Sequence, residues 1–270
     1  MTTPEGLKVR VSRRVRLDGV SFDALTEAEL ADAVVAGSAE GRGAFVLTPN
    51  VDILRQLRRP ALAAIATEAD YVVADGMPLI WASRLQADPL PERVTGASLI
   101  WSLSRAAAAA DRSVYLLGGD DGVAEAAAAR LAVDIPGLTV AGWHFPPFGF
   151  DKRPDDMRAV VEALGAAQPD IVFVGLGFPK QEFVIRALRE HFPAVVYVGC
   201  GASLTFAAGH ITRAPGWMQR HGLEWVHRLV KEPRRLARRY LVEDAPYTVG
   251  LLLRSALRRG RGVPTEGPKP

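Results

Sequence analysis

Apolar residues in this chain come in short unbroken runs, separated by longer stretches in which they recur every three or four positions. The runs are AFVLT (44–48), YVVA (71–74), VYLLG (114–118), LTVAG (138–142), IVFVG (171–175) and VVYVG (195–199). Strands covered on both faces of a parallel sheet lose the in–out alternation, so runs of this length and β-branched content predict buried strands. The stretches between them, 26–39, 52–67, 77–86, 96–110, 121–133, 154–167 and 180–191, predict helices. Alanine blocks at 106–110 and 126–129 suit helix interiors. Regular alternation of the two predicts an α/β fold, a Rossmann-like, mostly parallel sheet with helices on both faces. Ligands of such sheets bind beyond the carboxyl ends of the strands, so chemistry is expected in the loops that follow them.

The texture changes after Gly209. Residues 213–258 show no strand pattern and read as helices punctuated by Pro215, Pro233 and Pro246, and the last stretch, GRGVPTEGPKP, reads as disordered. The chain thus divides into an α/β core over 1–212, a helical appendage over 213–259 and a tail over 260–270. Charge follows the same division. The net +3 comes from 33 Lys and Arg against 30 Asp and Glu, but residues 213–270 hold 13 basic and 5 acidic side chains, which leaves 20 and 25 for the rest. A basic appendage on an acidic body suits an anionic partner, whether nucleic acid, anionic lipid or a phosphorylated substrate. A solvated helical surface would show the same balance. The single cysteine, Cys200, forms no internal disulfide and reads as a small buried residue. The opening residues MTTPEGLKVRVSRRVRLDG lack the apolar stretch of a signal peptide, and no apolar run approaches the roughly 18 residues of a membrane span, so the expected address is the cytoplasm.

Three strands end in glycine turns: LLGGDDG (116–122), VGLGFPKQE (174–182) and VGCGAS (198–203). Gly118, Gly175, Gly177, Gly199 and Gly201 could let backbone N–H groups approach a phosphate, although tight α/β turns need glycine for geometry alone. None completes a dinucleotide fingerprint, because Lys180 and Leu204 occupy the third glycine places, and no P-loop occurs. A nicotinamide-dependent oxidoreductase is therefore a weak alternative, as is a nucleic-acid-binding protein that uses the basic appendage. One Cys and five His without H-E-x-x-H give no thiolate or zincin metal set, no G-x-S-x-G elbow is present, and no D-x-D pair exists to hold a divalent ion on a sugar nucleotide. Two strand-end loops carry polar groups. In LTPNVD (47–52), Thr48, Asn50 and Asp52 are candidate helix caps beside Pro49. In VVADGMP (72–78), Asp75 reads either as an N-cap or as a general base aimed at a substrate hydroxyl. Trp81, Trp143, Trp217 and Trp225 suit stacking on a base or sugar and suit a core equally well, and the PPF of GWHFPPFGF (142–150) reads as a rigid loop near the site.

The segments ADGMPLIWASR (74–84), PERVTGASL (91–99), VGLGFPKQEFVI (174–185) and GHITRAPGWMQRHGLEWVHRLVKEPRRLARRYL (209–241), in this order and with TPN at 48–50 and LLGGDDGVAEAA, resemble the WecG/TagA/CpsF glycosyltransferases, glycosyltransferase family 26. The likeness covers roughly residues 10–242. It implies an inverting enzyme that uses no metal or other cofactor and moves a sugar, often N-acetylmannosamine or its uronate, from UDP to a polyprenyl-diphosphate-linked saccharide. The products of such enzymes feed wall teichoic acid, common antigen or exopolysaccharide. On this chain the resemblance puts the catalytic base at Asp75 and substrate-binding residues at Thr48, Asn50, Gln181, Arg213, Arg228, Arg235 and Arg238. Arg235 and Arg238, three apart on a helix, could reach one anion, while Arg234 and Arg239 read as a solvated face. Nucleic acid is not an expected partner on this reading, and the family's range from monomer to trimer leaves a homo-oligomer open.

A lipid-linked acceptor requires the enzyme to reach a bilayer. YTVGLLLRSALRRGR (247–261) sets Val249, Leu252, Leu253, Ala256 and Leu257 beside Arg254, Arg258, Arg259 and Arg261, the pattern of an interfacial helix on anionic lipid. The expectation is peripheral attachment through 213–261 to the inner face of the cell membrane. Packing of the same stripe on the body or on another subunit is the alternative.

Overall fold

A computed structural model describes residues 13–259. The backbone begins with a hairpin, β1 (Arg14–Leu17) and β2 (Val20–Asp23), followed by α1 (Glu27–Ala39), β3 (Ala44–Leu47), α2 (Val51–Gln56), α3 (Pro60–Glu68), β4 (Tyr71–Val72), α4 (Met77–Leu85) and α5 (Gly96–Ala109). It continues through β5 (Ser113–Gly118), α6 (Val123–Asp134), β6 (Thr139–His144), α7 (Pro154–Ala167), β7 (Ile171–Gly175), α8 (Lys180–His191) and β8 (Val196–Gly199). The last elements are helical: α9 (Ser203–Ala207), α10 (Gly216–Arg220), α11 (Glu224–Lys231), α12 (Pro233–Ala237), a π-helical stretch Arg238–Asp244, and α13 (Ala245–Arg258).

Six strands form one parallel sheet in the order β4-β3-β8-β7-β5-β6. This is the α/β architecture that the apolar runs predict. Every residue of β3, β4, β7 and β8 is buried, because helices cover both faces. On one face α1, α5, α6 and α9 enclose a core around Leu30, Leu99, Leu103, Leu131 and Phe173. On the other, α2, α3, α4, α7 and α8 join the hairpin and α13 around Phe22, Leu54, Leu79, Tyr197 and Leu251. Burying each such side chain is worth about 1.5–3 kcal/mol, so the sheet's two faces fix where its strand ends lie.

Two local departures have simple causes. The helix expected over 52–67 is two, broken at Leu57–Arg59 because Pro60 starts α3 and disfavours helical backbone in the residue before it. The hairpin turns at Asp18–Gly19, both with positive φ, and buries Val15, Leu17, Val20 and Phe22 on one side. Asp18 at that turn also accepts a hydrogen bond from the Tyr247 hydroxyl (2.7 Å) and one from Arg254 (3.2 Å), tying α13 to the hairpin.

The appendage lies against the core. Gly222, in the turn before α11, has φ +72°, and a Cβ there would sit 2.7 Å from Met77 Cβ and 3.1 Å from Trp81 of α4. Only a residue without a side chain allows that approach. Arg55 of α2 meets Glu243 at 2.8 Å and Asp244 at 3.4 Å, as well as Asp52 of its own helix at 2.6 Å. No helix among the described residues is long and apolar enough to cross a membrane. The tail expected to be disordered lies outside the described residues.

Candidate active site

The carboxyl ends of the parallel neighbours β4, β3, β8 and β7 lie side by side, and polar groups gather in the loops that follow them. Asp75 follows β4. Its backbone N–H donates to Pro49 O (2.9 Å), and its Oδ2 accepts from the N–H of Gly96, the first residue of α5, at 3.4 Å. The N-cap position of α4 belongs to Gly76, and Asp75 does not cap that helix. Its carboxylate faces another helix's positive end instead. Burial pushes its pKa up to about 6; Glu224 pushes the same way, while Arg93, the Gly96 N–H and Arg228 oppose it. A carboxyl with that midpoint is mostly ionised at neutral pH and still basic enough to take a proton, the property a general base needs.

Thr48, after β3, donates its hydroxyl to Gly199 O at 3.0 Å and is buried. It joins two strand ends and caps nothing. Asn50 is the N-cap of α2, accepting from the Ile53 N–H at 3.0 Å, and Asp52 pairs with Arg55. Of the three polar residues in that loop, one is the cap.

The glycines divide into two kinds. Cβ atoms at Gly118 and Gly175 would lie 2.7 Å from Gly175 O and from Leu204 Cδ1, and one at Gly199 would lie 2.7 Å from Gln181 Nε2. These three allow neighbouring strand ends to close on each other. Gly177 and Gly201 have open space around them, but their N–H groups are occupied: both donate to Oε1 of buried Gln181, at 3.2 and 3.0 Å. In this state the donors that the sequence offers to a phosphate tie the two loops together through one amide. Gln181 Nε2 in turn donates to Glu182 Oε1 at 2.8 Å. Glu182 is only 2% exposed, its Oε2 has no hydrogen-bond partner, and burial pushes its carboxyl up to about 7. The sequence reading passed over Glu182 although it quoted the motif. Cys200 is buried, with its thiol pushed up to about 12 by burial, as expected of an inert packing residue.

Cationic groups come from two directions. Arg93, in the loop before α5, hydrogen-bonds Glu224 of α11 at 3.0 Å, and Arg213 pairs with the other Glu224 oxygen at 3.6 Å. Arg228, also on α11, lies over the Phe206 ring at 5.5 Å. The Nε atoms of Arg213 and Arg228 are buried without a hydrogen-bond partner. Arg213 Nε is the atom that faces Glu224, so the unused buried donor is that of Arg228, which marks a place suited to an anion. Sequence reasoning missed Arg93 and Glu224, whose pairing spans 131 positions. Both stand inside motifs it quoted.

Arg238 does not join this group. Its side chain is 87% exposed and its nearest acid is Glu243 at 3.8 Å. Arg239, expected on the solvated face, turns inward toward Asp52 and Asp244, each at 3.9 Å, and stacks on Tyr240 at 4.8 Å. The helix changes to π-helical geometry at Arg238, which rotates the positions that an α-helical period would assign. Arg235 stands on α12, and its side chain lies outside the described ones. Trp81, Trp143, Trp217 and Trp225 are all partly exposed, and Trp225 meets Tyr240 edge-on at 6.2 Å. Among the described residues no group of three or more His, Cys, Asp or Glu side chains is placed to hold a metal ion.

Comparison with known proteins addresses the family of the chain. Three similar proteins carry the name N-acetylglucosaminyldiphosphoundecaprenol N-acetyl-beta-D-mannosaminyltransferase. The one from Bacillus spizizenii is 34% identical over 74% of this chain and 76% of its own length. That from Staphylococcus aureus is 30% identical over 83% and 87%, and that from Bacillus subtilis 28% over 84% of each. The sequence model of the glycosyl transferase WecG/TagA/CpsF family matches residues 15–262. With that span covering the sheet, Asp75 and the arginine-bearing helices, the chain belongs to the WecG/TagA/CpsF family of glycosyltransferases.

Proposed function

We propose that this enzyme moves an N-acetylmannosamine-type sugar from a UDP-sugar to a hydroxyl of a polyprenyl-diphosphate-linked saccharide, with inversion and without a metal ion. The observation that carries the reading is Asp75: a carboxyl that follows β4 at the sheet's carboxyl edge, raised to about 6, with Arg93 and Arg228 among the charges that act on it. The names of the relatives support the sugar and the lipid-linked acceptor. The product would be an intermediate of a cell-surface polymer such as wall teichoic acid.

The step is a single displacement. The acceptor oxygen attacks the anomeric carbon and passes its proton to the Asp75 carboxylate. The bond from that carbon to the diphosphate oxygen breaks on the opposite face, and its electron pair leaves with UDP. Proton removal by a placed carboxylate is worth roughly 10²–10⁴ in rate. The leaving diphosphate gains charge, and the guanidinium of Arg228, whose buried Nε has no hydrogen-bond partner, would stabilise it, joined by Arg213 where the diphosphate displaces Glu224. Guanidinium groups would then do the work that a divalent ion does in enzymes with a D-x-D pair.

Peripheral contact with the inner face of the membrane completes the reading. Tyr247, Leu251 and Ser255 of α13 are buried on the core, while Val249, Leu253 and Leu257 face outward with Arg258 and Arg259 exposed nearby. Helix α13 thus has one apolar stripe for the body and a second available to lipid. The test is transfer to a short-chain polyprenyl-diphosphate-N-acetylglucosamine from a panel of UDP-sugars with EDTA present, in wild type and Asp75→Asn. Transfer from one donor that the variant loses supports the reading. Equal activity of the two proteins removes Asp75 as base, and a requirement for added metal removes the metal-free mechanism.

A further inference from the structure

Glu224 stands among the arginines near Asp75 and divides its two oxygens between the core and the appendage. Oε2 accepts from Arg93 at 3.0 Å and Oε1 faces Arg213 at 3.6 Å. The Glu224 and Arg93 side chains are each 16% exposed, so the pair is largely out of water, where an ion pair is screened little. The preceding Gly222 fits against Met77 and Trp81 with no room for a side chain, which fixes where α11 starts. Asp75 is faced by Arg93 and the Gly96 N–H from the core, and by Glu224 and Arg228 from α11.

We propose that Glu224 is a positioning residue: it holds Arg93 and Arg213, sets α11 and its Arg228 in place, and keeps the surrounding guanidinium charge from being drawn wholly to Asp75. Removing this carboxylate leaves Arg93 and Arg213 without their shared partner, and Arg93 and Arg228 facing a partly buried Asp75 with no acid to offset them. The best remaining partner for Arg93 is then Asp75 itself, and an Asp75 engaged in that way is a poorer base. A residue at the start of a helix is often acidic for the helix's own sake. That role alone requires neither Arg93 nor Arg213, and it leaves Asp75 unaffected.

The proposal rests on Asp75 being the base, and its test separates the two ideas. The carboxyl carbon of Asp75 would be followed by ¹³C NMR in the ligand-free protein, assigned with Asp75→Asn. In Glu224→Gln, the Asp75 midpoint is expected to fall by roughly half a unit to one unit, as a like charge is removed and Arg93 is freed. The acidic limb of kcat/KM should fall with it, kcat should drop about tenfold or more, and Glu224→Asp should recover part of both. An unchanged Asp75 midpoint in Glu224→Gln overturns the proposal whatever happens to activity. A shifted midpoint with no shift of the rate profile upholds the electrostatic link and removes Asp75 as base. If Gln at 224 prevents folding, the midpoint in Arg93→Lys serves: a Lys that keeps only a point charge should move Asp75, and an unmoved midpoint there also overturns the proposal.

Discussion

The sheet edge and the appendage bring residues to one site by different physics. Thr48 and Asp75 follow strand ends, and Gln181 stands in the first turn of α8; two apolar cores set these elements in place, and the three side chains hydrogen-bond mainly to backbone groups. Arg213, Glu224 and Arg228 are held on the core side by charge and by one close glycine contact, and α11 has no buried residue. Burial fixes a position over a wide range of conditions. An ion pair, even one screened little from salt, can be opened by a competing anion that offers its guanidinium another partner. On the proposed function, the half of the site that would hold the base is built rigidly, while the half that would receive and release a diphosphate is fastened by bonds an anion can exchange.

The sharpest test of this division is Asp75→Asn, which should lower transfer about 10²–10⁴-fold while stabilising the fold. A carboxyl raised from 3.8 to about 6 favours the folded state below the lower value, and that contribution is lost as pH rises through the higher one. The gain in Tm from Asn should thus be near nil at about pH 4 and full by about pH 7, worth up to ~3 kcal/mol. No gain at neutral pH would show that Asp75 is less confined than its surroundings indicate. Next in size is Gly199→Val, whose branched side chain must displace buried Gln181, at a cost of about 1–3 kcal/mol on chemical denaturation with both glycine loops loosened. Full stability in this variant would mean the strand ends yield as readily as the appendage.

On the appendage side, Arg55→Leu leaves Asp52, Glu243 and Asp244 without their shared cation. It should weaken docking of 238–258 by ~1–2 kcal/mol, seen as faster amide exchange there and not in the sheet, and salt should loosen the wild type in the same direction. Replacing Val249, Leu253 and Leu257 by Ser should abolish binding to anionic vesicles and leave transfer in detergent within about twofold. These three sharpen the membrane question better than removal of 247–270, which also takes away the buried Tyr247 and Leu251. The smallest effect belongs to Arg238→Ala, expected to leave stability within about 0.5 kcal/mol, whereas Arg239→Ala should cost more because Arg239 faces Asp52 and Asp244.

The same division explains what could be read from the chain. Strands at 44–47, 171–175 and 196–199 are legible because burial on both faces leaves unbroken apolar runs. The hairpin's signal is short but present, since RVRL and VSFD alternate about a DG turn. Asp75 and Thr48 are visible as polar residues directly after apolar strands, and the family resemblance gives them roles. Glu182 is hidden by its own surroundings, since a glutamate in the first turn of a helix ordinarily faces water. The Arg93–Glu224–Arg213 set is a tertiary fact that no local period encodes. Arg238 and Arg239 exchange places because the helix changes its period where the sequence gives no sign of it.

The clasp at Asp18 bears on how the molecule may be handled. The hairpin that opens the described fold and the helix that closes it grip each other through one carboxylate, Tyr247 and Arg254. Tags, fusions or trimming at either terminus therefore act on the same joint, and an alteration placed before residue 14 can loosen the arginine-bearing helices far along the chain. Preparations that differ only in which terminus carries an affinity tag should be compared for activity before any difference between them is assigned to the catalytic residues.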